Sequence, residues 1–251
     1  DMTQLYPLDS CFNFITCFEE LPSTNDYLID LYKNLGFKNT LTVVANKQLQ
    51  GRGRMGKIWF SDADKGLTFS FSVKLHSKIN LFDINMFATC SIVHFLKELG
   101  VPAVIKYPND IIFNNKKISG VLIESIKVDG DSYCIVGVGL NINNSRFPSD
   151  LPDCTSIYQV TEKLFEVDKV FKLLIEKLKK SITLYLENKM SLKKAYFSAL
   201  HGTQQYVPCL LNNRKVFVKI LATTKRGFLS IQTKNSVVTT VNANDIKFLL
   251  Y

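Results

Sequence analysis

Apolar and polar residues alternate without a break from Leu67 to Leu75: Leu67, Phe69, Phe71, Val73 and Leu75 are separated by Thr68, Ser70, Ser72 and Lys74. A period of two over this length predicts a β-strand with one face buried and the other wet. Shorter apolar runs at Leu41 to Ala45, Ala103 to Tyr107, Ile111 to Phe113, Gly120 to Ile126 and Tyr133 to Val138 predict further strands, with Asn114-Asn115 as a hairpin turn. Elsewhere the period is helical. Ser23-Thr24-Asn25 stands before Tyr27, Leu28, Leu31, Tyr32 and Leu35, and Gly36 follows, which predicts a capped amphipathic helix ended by glycine. Asp83 to Leu99 predicts a helix with Gly100 just past its end. Asp168 to Leu186 carries Val170, Phe171, Leu174, Ile175, Leu178, Ile182 and Tyr185 on one face and lysines on the other, and a second helix follows over Ser191 to Leu200.

Beyond Gly202 the texture changes to short strands at Val207 to Leu211, Val216 to Ala222, Phe228 to Gln232 and Val237 to Val241, punctuated by Asn212-Asn213 and Arg226-Gly227. The expected fold class is α+β, with a main domain over residues 1–203 and a small β domain over 204–251. A β unit of about 45 residues is too small to be very stable alone and is expected to pack on the main body as a barrel-like tail.

Composition narrows the class only a little. Hydrophobic residues make up 46% of the 251 and charged residues 21%, ordinary values for a folded chain. The net charge of +9 suits an acidic partner, such as nucleic acid, an anionic membrane, a phosphorylated ligand or an acidic protein. Six cysteines without a C-x-x-C pair argue against zinc or thioredoxin-like chemistry and for thiols in a reducing compartment. No apolar run approaches the roughly 20 residues that span a bilayer. The first residues lack the basic start and apolar stretch of a secretory leader, so none is expected.

Three stretches carry candidate chemistry. The first is QLQGRGRMGKIW, Gln48 to Trp59, which interleaves Gly51, Gly53 and Gly56 with Arg52 and Arg54 and ends on the only tryptophan. Backbone N–H groups in a glycine-rich turn make an anion-binding concavity, and arginine adds planar, permanently charged donors. The loop therefore reads as a clamp for carboxylate or phosphate; the alternative is an exposed loop or a nucleic-acid contact. It lacks the G-K-[ST] ending of a Walker loop, and a strand rather than a helix follows it, unlike the dinucleotide fingerprint. The second stretch, Ile105 to Ser125, places Lys106, Asn109 and Asp110 at one strand end and Lys116 and Lys117 at the start of another. A carboxylate beside basic groups suits a magnesium ion shared with phosphates, and the alternatives are a turn residue for Asp110 and a solvated turn charge for Lys116. The third, VGVGLNIN, ends a strand with Gly137, Gly139 and Asn141, which simple close packing would also explain. His76, His94 and His201 are far apart and read as structural.

Taken together and in order, these stretches resemble the biotin protein ligase family, the biotin–[carboxyl carrier] ligases or holocarboxylase synthetases. Its G-R-G-R-x-G-x-x-W stands as Gly51 to Trp59, its K-W-P-N-D as Lys106 to Asp110 with Tyr107 in place of tryptophan, and its K-[LI]-x-G-[IV]-L-[IV]-E as Lys117 to Glu124. Its S-T-N is Ser23 to Asn25, and its G-x-G-x-N strand end is Gly137 to Asn141. The resemblance implies a mixed-sheet catalytic domain of the biotin/lipoate ligase type with a C-terminal SH3-like β-barrel. It implies activation of biotin by ATP and Mg²⁺ to biotinyl-5′-AMP, then transfer to a lysine of a biotin carboxyl carrier domain of a carboxylase such as acetyl-CoA carboxylase. No tightly bound organic cofactor is expected. Position by position, Ser23, Thr24, Asn25, Gln48, Gly51, Arg52, Gly53, Arg54, Lys117 and Gly120 would meet biotin. Arg52, Arg54, Trp59, Asn109, Asp110, Lys117 and Asn141 would meet ATP or the adenylate. Lys117 and Arg54 would be catalytic, Asp110 would orient Mg²⁺ or phosphate, and Tyr158 is a candidate second aromatic at the adenine. Some members carry an N-terminal DNA-binding domain; only 22 residues precede Ser23 here, so neither it nor DNA as a partner is expected. A monomer or homodimer without membrane attachment is expected, in the cytoplasm or, after removal of a targeting peptide, in an organelle. The alternatives are a lipoate–protein ligase, with a longer apolar pocket and typically no G-R-G-R loop, and a basic nucleic-acid-binding module.

Overall fold

The computed structural model describes residues 10–75, 79–186 and 188–250. His76 lies outside these residues, as does the N-terminal stretch to residue 9, and the Tyr185 side chain is likewise not among those described.

A seven-stranded mixed sheet forms the body. In chain order its strands are β1 (Ile15–Leu21), β2 (Thr42–Gln48), β3 (Gly66–Lys74), β4 (Val104–Lys106), β5 (Asp110–Phe113), β6 (Lys116–Val128) and β7 (Asp131–Asn141). Their spatial order is β1-β2-β3-β7-β6-β5-β4, and only the β1–β2 pair is parallel. Helix α1 (Thr24–Leu35) covers one face of the sheet. Helices α2 (Leu81–Glu98), α4 (Val167–Leu186) and α5 (Lys189–Ala199) cover the other, and the short α3 (Ile157–Thr161) lies in the connection before α4. Asn114 and Asn115 both take positive φ, 46° and 60°, and make the tight turn between β5 and β6 that the sequence predicts. Among the described residues no helix is long and apolar enough to cross a membrane.

Most boundaries follow local chemistry. Ser23 caps α1 by accepting from the Asp26 N–H, and Gly36 closes it in the left-handed conformation at φ 63°. Helix α2 starts two residues before the predicted Asp83, because Asn80 and Asp83 form a reciprocal capping box. Strand β1 has no counterpart among the predicted elements. Six of its seven residues are exposed or half-buried, so this edge strand shows no alternation to read. Strand β3 differs from expectation in the opposite sense. Its polar residues Thr68, Ser70 and Ser72 are buried too, because α1 covers the face that alternation assigns to water. Each hydroxyl is paired: Thr68 donates to the Ala45 carbonyl, Ser72 accepts from Tyr32, and Ser70 joins the site described below.

The C-terminal unit is a five-stranded antiparallel sheet of β8 (Val207–Leu211), β9 (Arg214–Thr223), β10 (Leu229–Thr233), β11 (Val238–Val241) and β12 (Ile246–Phe248), in the order β11-β10-β9-β8-β12. The expected SH3-like barrel is therefore wrong: the sheet is open. Closure would need β11 and β12 to pair. The three residues of β12 are all in register with β8, and β11 pairs with β10 at the opposite edge. The inward side chains of this sheet, including Val218, Ile220, Leu229, Ile231 and Phe248, belong to the same apolar cluster as the helices of the main body. Polar contacts fasten the seam. The Tyr107 hydroxyl donates to the Gly227 carbonyl at 2.8 Å, and the Ile220 N–H donates to the Gly202 carbonyl at 2.8 Å. Gly227, at φ 84°, also lies so close to the Phe82 ring that a Cβ there would be 2.6 Å from it.

Tyr107 is buried, and its hydroxyl is the group that phenylalanine would lack. Tyr107→Phe should therefore leave the Gly227 carbonyl unsatisfied and cost about 1–2 kcal/mol. Urea unfolding should show a lower midpoint with an unchanged slope.

Candidate active site

Two glycines let the Gly/Arg loop close on the sheet. Gly120 on β6 and Gly139 on β7 are direct partners across the ladder. The Trp59 ring lies over both, and a Cβ on Gly139 would run into the indole. The loop between is itself a small hairpin. Trp59 donates its N–H to the Gly51 carbonyl at 2.8 Å, Arg52 bridges Ile58, and Gly53 donates to the Lys57 carbonyl at 2.7 Å. Arg54 begins a tight 3₁₀ turn over Arg54–Gly56.

On one side of Trp59 stands a cluster of cations around a single carboxylate. Lys117 Nζ lies 5.5 Å from the Trp59 ring centroid and 2.6 Å from Asp110 Oδ1. Lys106 Nζ lies 3.6 Å from the other Asp110 oxygen. Burial by itself would raise the Asp110 pKa, but Lys117 and Lys106 together outweigh it and hold the carboxyl below its usual range. Burial lowers the Lys106 pKa, Asp110 partly restores it, and the neighbouring Lys117 and Lys57 lower it further. Arg54 reaches this cluster through Asn109, whose Oδ1 accepts from Nη1 at 3.4 Å. The Asn109 amide is pinned in turn by the Val121 carbonyl, and the Asn109 carbonyl accepts from Val121 N–H at 3.0 Å.

On the other side lies a polar cluster on α1, β2 and β3. Gln48 Oε1 accepts from the Thr24 N–H at 2.8 Å and from its hydroxyl at 3.0 Å. The Thr24 and Ser70 hydroxyls are 2.6 Å apart, and Ser70 donates to Asn25 Oδ1 at 2.6 Å. The Asn25 carboxamide sits on Gly137, where a Cβ would overlap it, so this glycine makes room for a side chain from the opposite layer. Ser23 is buried as the helix cap and faces the same corner.

The structure thus brings Thr24, Asn25, Gln48, Gly51, Trp59, Lys117 and Gly120 to one patch of sheet and loop, with Arg54, Asn109 and Asp110 beside it. It does not turn Arg52 toward Lys117: the Arg52 guanidinium is held by Asp26 and Glu124. Asn141 is buried, and its amide donates to the Thr155 carbonyl at 2.9 Å, so it anchors the following loop. Tyr158 lies farther along that loop, at a polar hollow with Lys116, Gln159 and Glu162. His94 is exposed on α2. Three residues of the site region, Ser70, Asp26 and Glu124, were not singled out from the sequence for a role. Among the described residues no group of three or more His, Cys, Asp or Glu side chains is placed to hold a metal ion. Asp110 offers one carboxylate already paired with two lysines, which does not fit a protein-held Mg²⁺. A magnesium ion entering with a triphosphate needs no such cage.

Residues 17–143, just over half of the chain, match the model of the Biotin/lipoate A/B protein ligase family. Among curated proteins, the bifunctional ligase/repressor BirA of Bacillus subtilis is 35% identical over 136 residues, covering 53% of this chain and 41% of that protein. The human biotin–protein ligase is 24% identical over 249 residues, covering 93% of this chain and 34% of that protein. The chain thus spans less than half the length of these curated relatives. Among solved structures, biotin protein ligase from Aquifex aeolicus in complex with biotin and ATP superposes with a TM-score of 0.77 at 25% identity, covering 95% of this chain and 99% of that one. The Leishmania major biotin protein ligase with biotinyl-5-AMP, at 22% identity and a TM-score of 0.63, shares the fold.

Because the folded Asp110 pKa is lowered, its stabilising contribution is complete above the ordinary carboxylate value of about 4 and is lost as the pH falls through the folded value. Asp110→Asn should lower Tm at pH 7, where it leaves Lys106 and Lys117 facing each other unpaired. The gap to wild type should close as the pH drops below about 4, which a series of thermal melts will read.

Proposed function

The chain belongs to the biotin/lipoate A/B protein ligase family, and from that membership and its site we propose that it is an ATP-dependent biotin–protein ligase. The biotin carboxylate attacks the α-phosphorus of ATP, giving biotinyl-5′-AMP and releasing pyrophosphate. The amine of a lysine on a biotin carboxyl carrier domain then attacks the anhydride carbonyl, forming an amide and releasing AMP. The observation that carries this reading is the convergence of three sequence-distant segments on one patch: Trp59 of the Gly/Arg loop lies on Gly120 and Gly139, and Lys117 stands over its ring.

The chemistry needs what this patch offers. A carboxylate and a triphosphate repel each other, and cations held close by in a partly water-excluded site lower that barrier. Lys117 is the central cation in this scheme, because it can leave Asp110 for the biotin carboxylate and the α-phosphate oxygens. Arg54, oriented by Asn109, closes the loop over the phosphate, and Lys106 adds charge from below. Mg²⁺ arrives as part of the substrate MgATP. The cluster of Thr24, Asn25, Ser70 and Gln48 supplies the donors and acceptors that a cyclic urea requires, and Ser23, Gly51, Gly53 and Gly120 shape its walls. Trp59 presents an aromatic face to the ligand, and Asn141 keeps its supporting loop in place. Holding both reactants on one rigid sheet contributes the orientational part of the acceleration.

Residues 1–203 would be the catalytic unit in this scheme and 204–251 its β appendage. The positive charge of the chain suits an acidic carrier domain, and six free cysteines suit a reducing interior, cytoplasmic or organellar. Two loop arginines argue for biotin over lipoate, whose ligases typically lack them.

Purified protein incubated with MgATP, biotin and a biotin carboxyl carrier domain should add one biotinyl group to the carrier, read by intact mass. A parallel reaction with lipoate should add nothing, and transfer of lipoate without biotin would replace this proposal with its sister activity. Arg54→Gly should loosen the clamp so that the adenylate escapes and lysines of bystander proteins become biotinylated. Retention of strict acceptor choice by that variant would remove Arg54 from the role of holding the intermediate.

A further inference from the structure

Glu124 is the point where the Gly/Arg loop meets the polar cluster. It lies on β6, four residues beyond Gly120, with a quarter of its side chain exposed. Its Oε2 accepts from Asn25 Nδ2 at 2.7 Å. The same carboxylate accepts from the Arg52 guanidinium, with Nη1 and Nη2 each 3.1 Å from Oε1 and Nη2 3.0 Å from Oε2. Asp26 takes the other edge of Arg52, through Nε at 3.0 Å and through Nη2. Arg52 therefore lies between two carboxylates, and its pKa is raised first by the Asp26 hydrogen bond and then, against burial, by Glu124.

The arrangement has a direction. An ionised carboxylate only accepts, so Asn25 must turn its amide nitrogen to Glu124 and its oxygen to Ser70. The Ser70 hydroxyl proton is then committed to Asn25, so Ser70 is the acceptor in its contact with Thr24, and the single Thr24 hydroxyl proton is shared between Ser70 and Gln48 Oε1. Gln48, accepting from the Thr24 N–H with Oε1, is left with its amide nitrogen as the outward donor. One carboxylate thus sets the donor–acceptor sense of Asn25 and Ser70, while the Thr24 N–H sets that of Gln48. That carboxylate also anchors the loop that covers the cluster, and without Arg52 between them Glu124 and Asp26 would face each other as like charges.

We propose that Glu124 is a positioning residue that ties Arg52 of the Gly/Arg loop to Asn25 of the polar cluster, so that loop closure and orientation of the biotin-facing amides are one event. The inference rests on the biotin-activating role proposed above, but its structural half stands apart from it. Exposed ion pairs contribute little singly; the bidentate geometry and the shared carboxylate make this one an exception.

Trp59 is the only tryptophan and ends the loop, so acrylamide quenching of its fluorescence reports closure without any ligand. In ligand-free protein at low salt, Glu124→Gln should raise quenching about threefold, and high salt should bring wild type up to the variant while leaving the variant unmoved. In the adenylation assay the variant should raise the biotin KM about threefold to tenfold while kcat changes by less than about twofold. Equal quenching of the two proteins at low salt, or a fall in kcat with KM unchanged, would overturn the proposal. Should Glu124→Gln fail to fold, Arg52→Gln breaks the same junction from the solvent side and is judged by the same quenching and salt response. If wild type forms no adenylate from biotin, the ligase reading fails, and the quenching comparison still decides the role of Glu124.

Discussion

An indole ring can pack directly on the backbone of a β-sheet only where the strands beneath it carry no side chains. Gly120 and Gly139 meet that condition as direct partners on β6 and β7, and Trp59 uses it. Everything chemical in this molecule follows from that contact. It brings a loop rich in arginine down onto the sheet, beside the start of β6 where Lys117 stands, and across from α1 with its polar N-terminus. A side chain at Gly139 would run into the indole and lift the loop, parting Arg54 from Asn109, while one at Gly120 would first meet the Lys117 side chain. The glycines of the loop and the glycines of the sheet therefore serve one end, close approach, from opposite sides.

Charge is then distributed so that each cation is held before an anionic ligand arrives. Lys117 and Lys106 share Asp110, Arg52 lies between Asp26 and Glu124, and Arg54 is held, among the described residues, by a neutral amide. These differ in what a ligand must displace. Arg54 is the cheapest to recruit, because an amide oxygen competes weakly with a phosphate. In the proposed scheme Lys117 would exchange one carboxylate for another, a nearly balanced trade inside a partly buried site. Arg52 is doubly paired and is the least available, which places it in the framework of the loop. Two arginines separated by one glycine thus occupy different electrostatic situations, and residue type alone does not distinguish them.

Elements with strong local signals were legible in the sequence. The caps of α1, the asparagine turn between β5 and β6 and the long apolar stripe of α4 are all encoded within a few residues of where they act. Edge strand β1 was not legible because six of its seven residues are exposed or half-buried and show no alternation, and the C-terminal closure failed because pairing of two short terminal strands is a property of the whole sheet. The glycine, arginine and lysine motifs of the site were legible because spacing preserved them. Their pairings were not: Glu124 closes one of these motifs, but it lies 99 residues from Asn25 and 72 from Arg52, and Ser70 lies 46 from Thr24, separations that no local pattern encodes. Arg52 shows the cost, since its type suggested a ligand contact but not its pairing with Asp26 and Glu124.

The polar stripe of β3 shows how site and fold are reconciled. Burying three hydroxyls beneath α1 and beside β2 gains less than burying three methyl groups, since each hydroxyl must first recover the hydrogen bonds it had in water. Thr68 and Ser72 recover theirs from backbone and from Tyr32, and so act as ordinary structural pairs. Ser70 has only the side chains of Thr24 and Asn25, two groups of the polar cluster. An apolar residue there would pack against the same neighbours, but it would leave the Asn25 oxygen without its buried donor and cut the chain that runs from Thr24 to Glu124. The polar choice at Ser70 is therefore one that stability alone does not require and that an oriented site does.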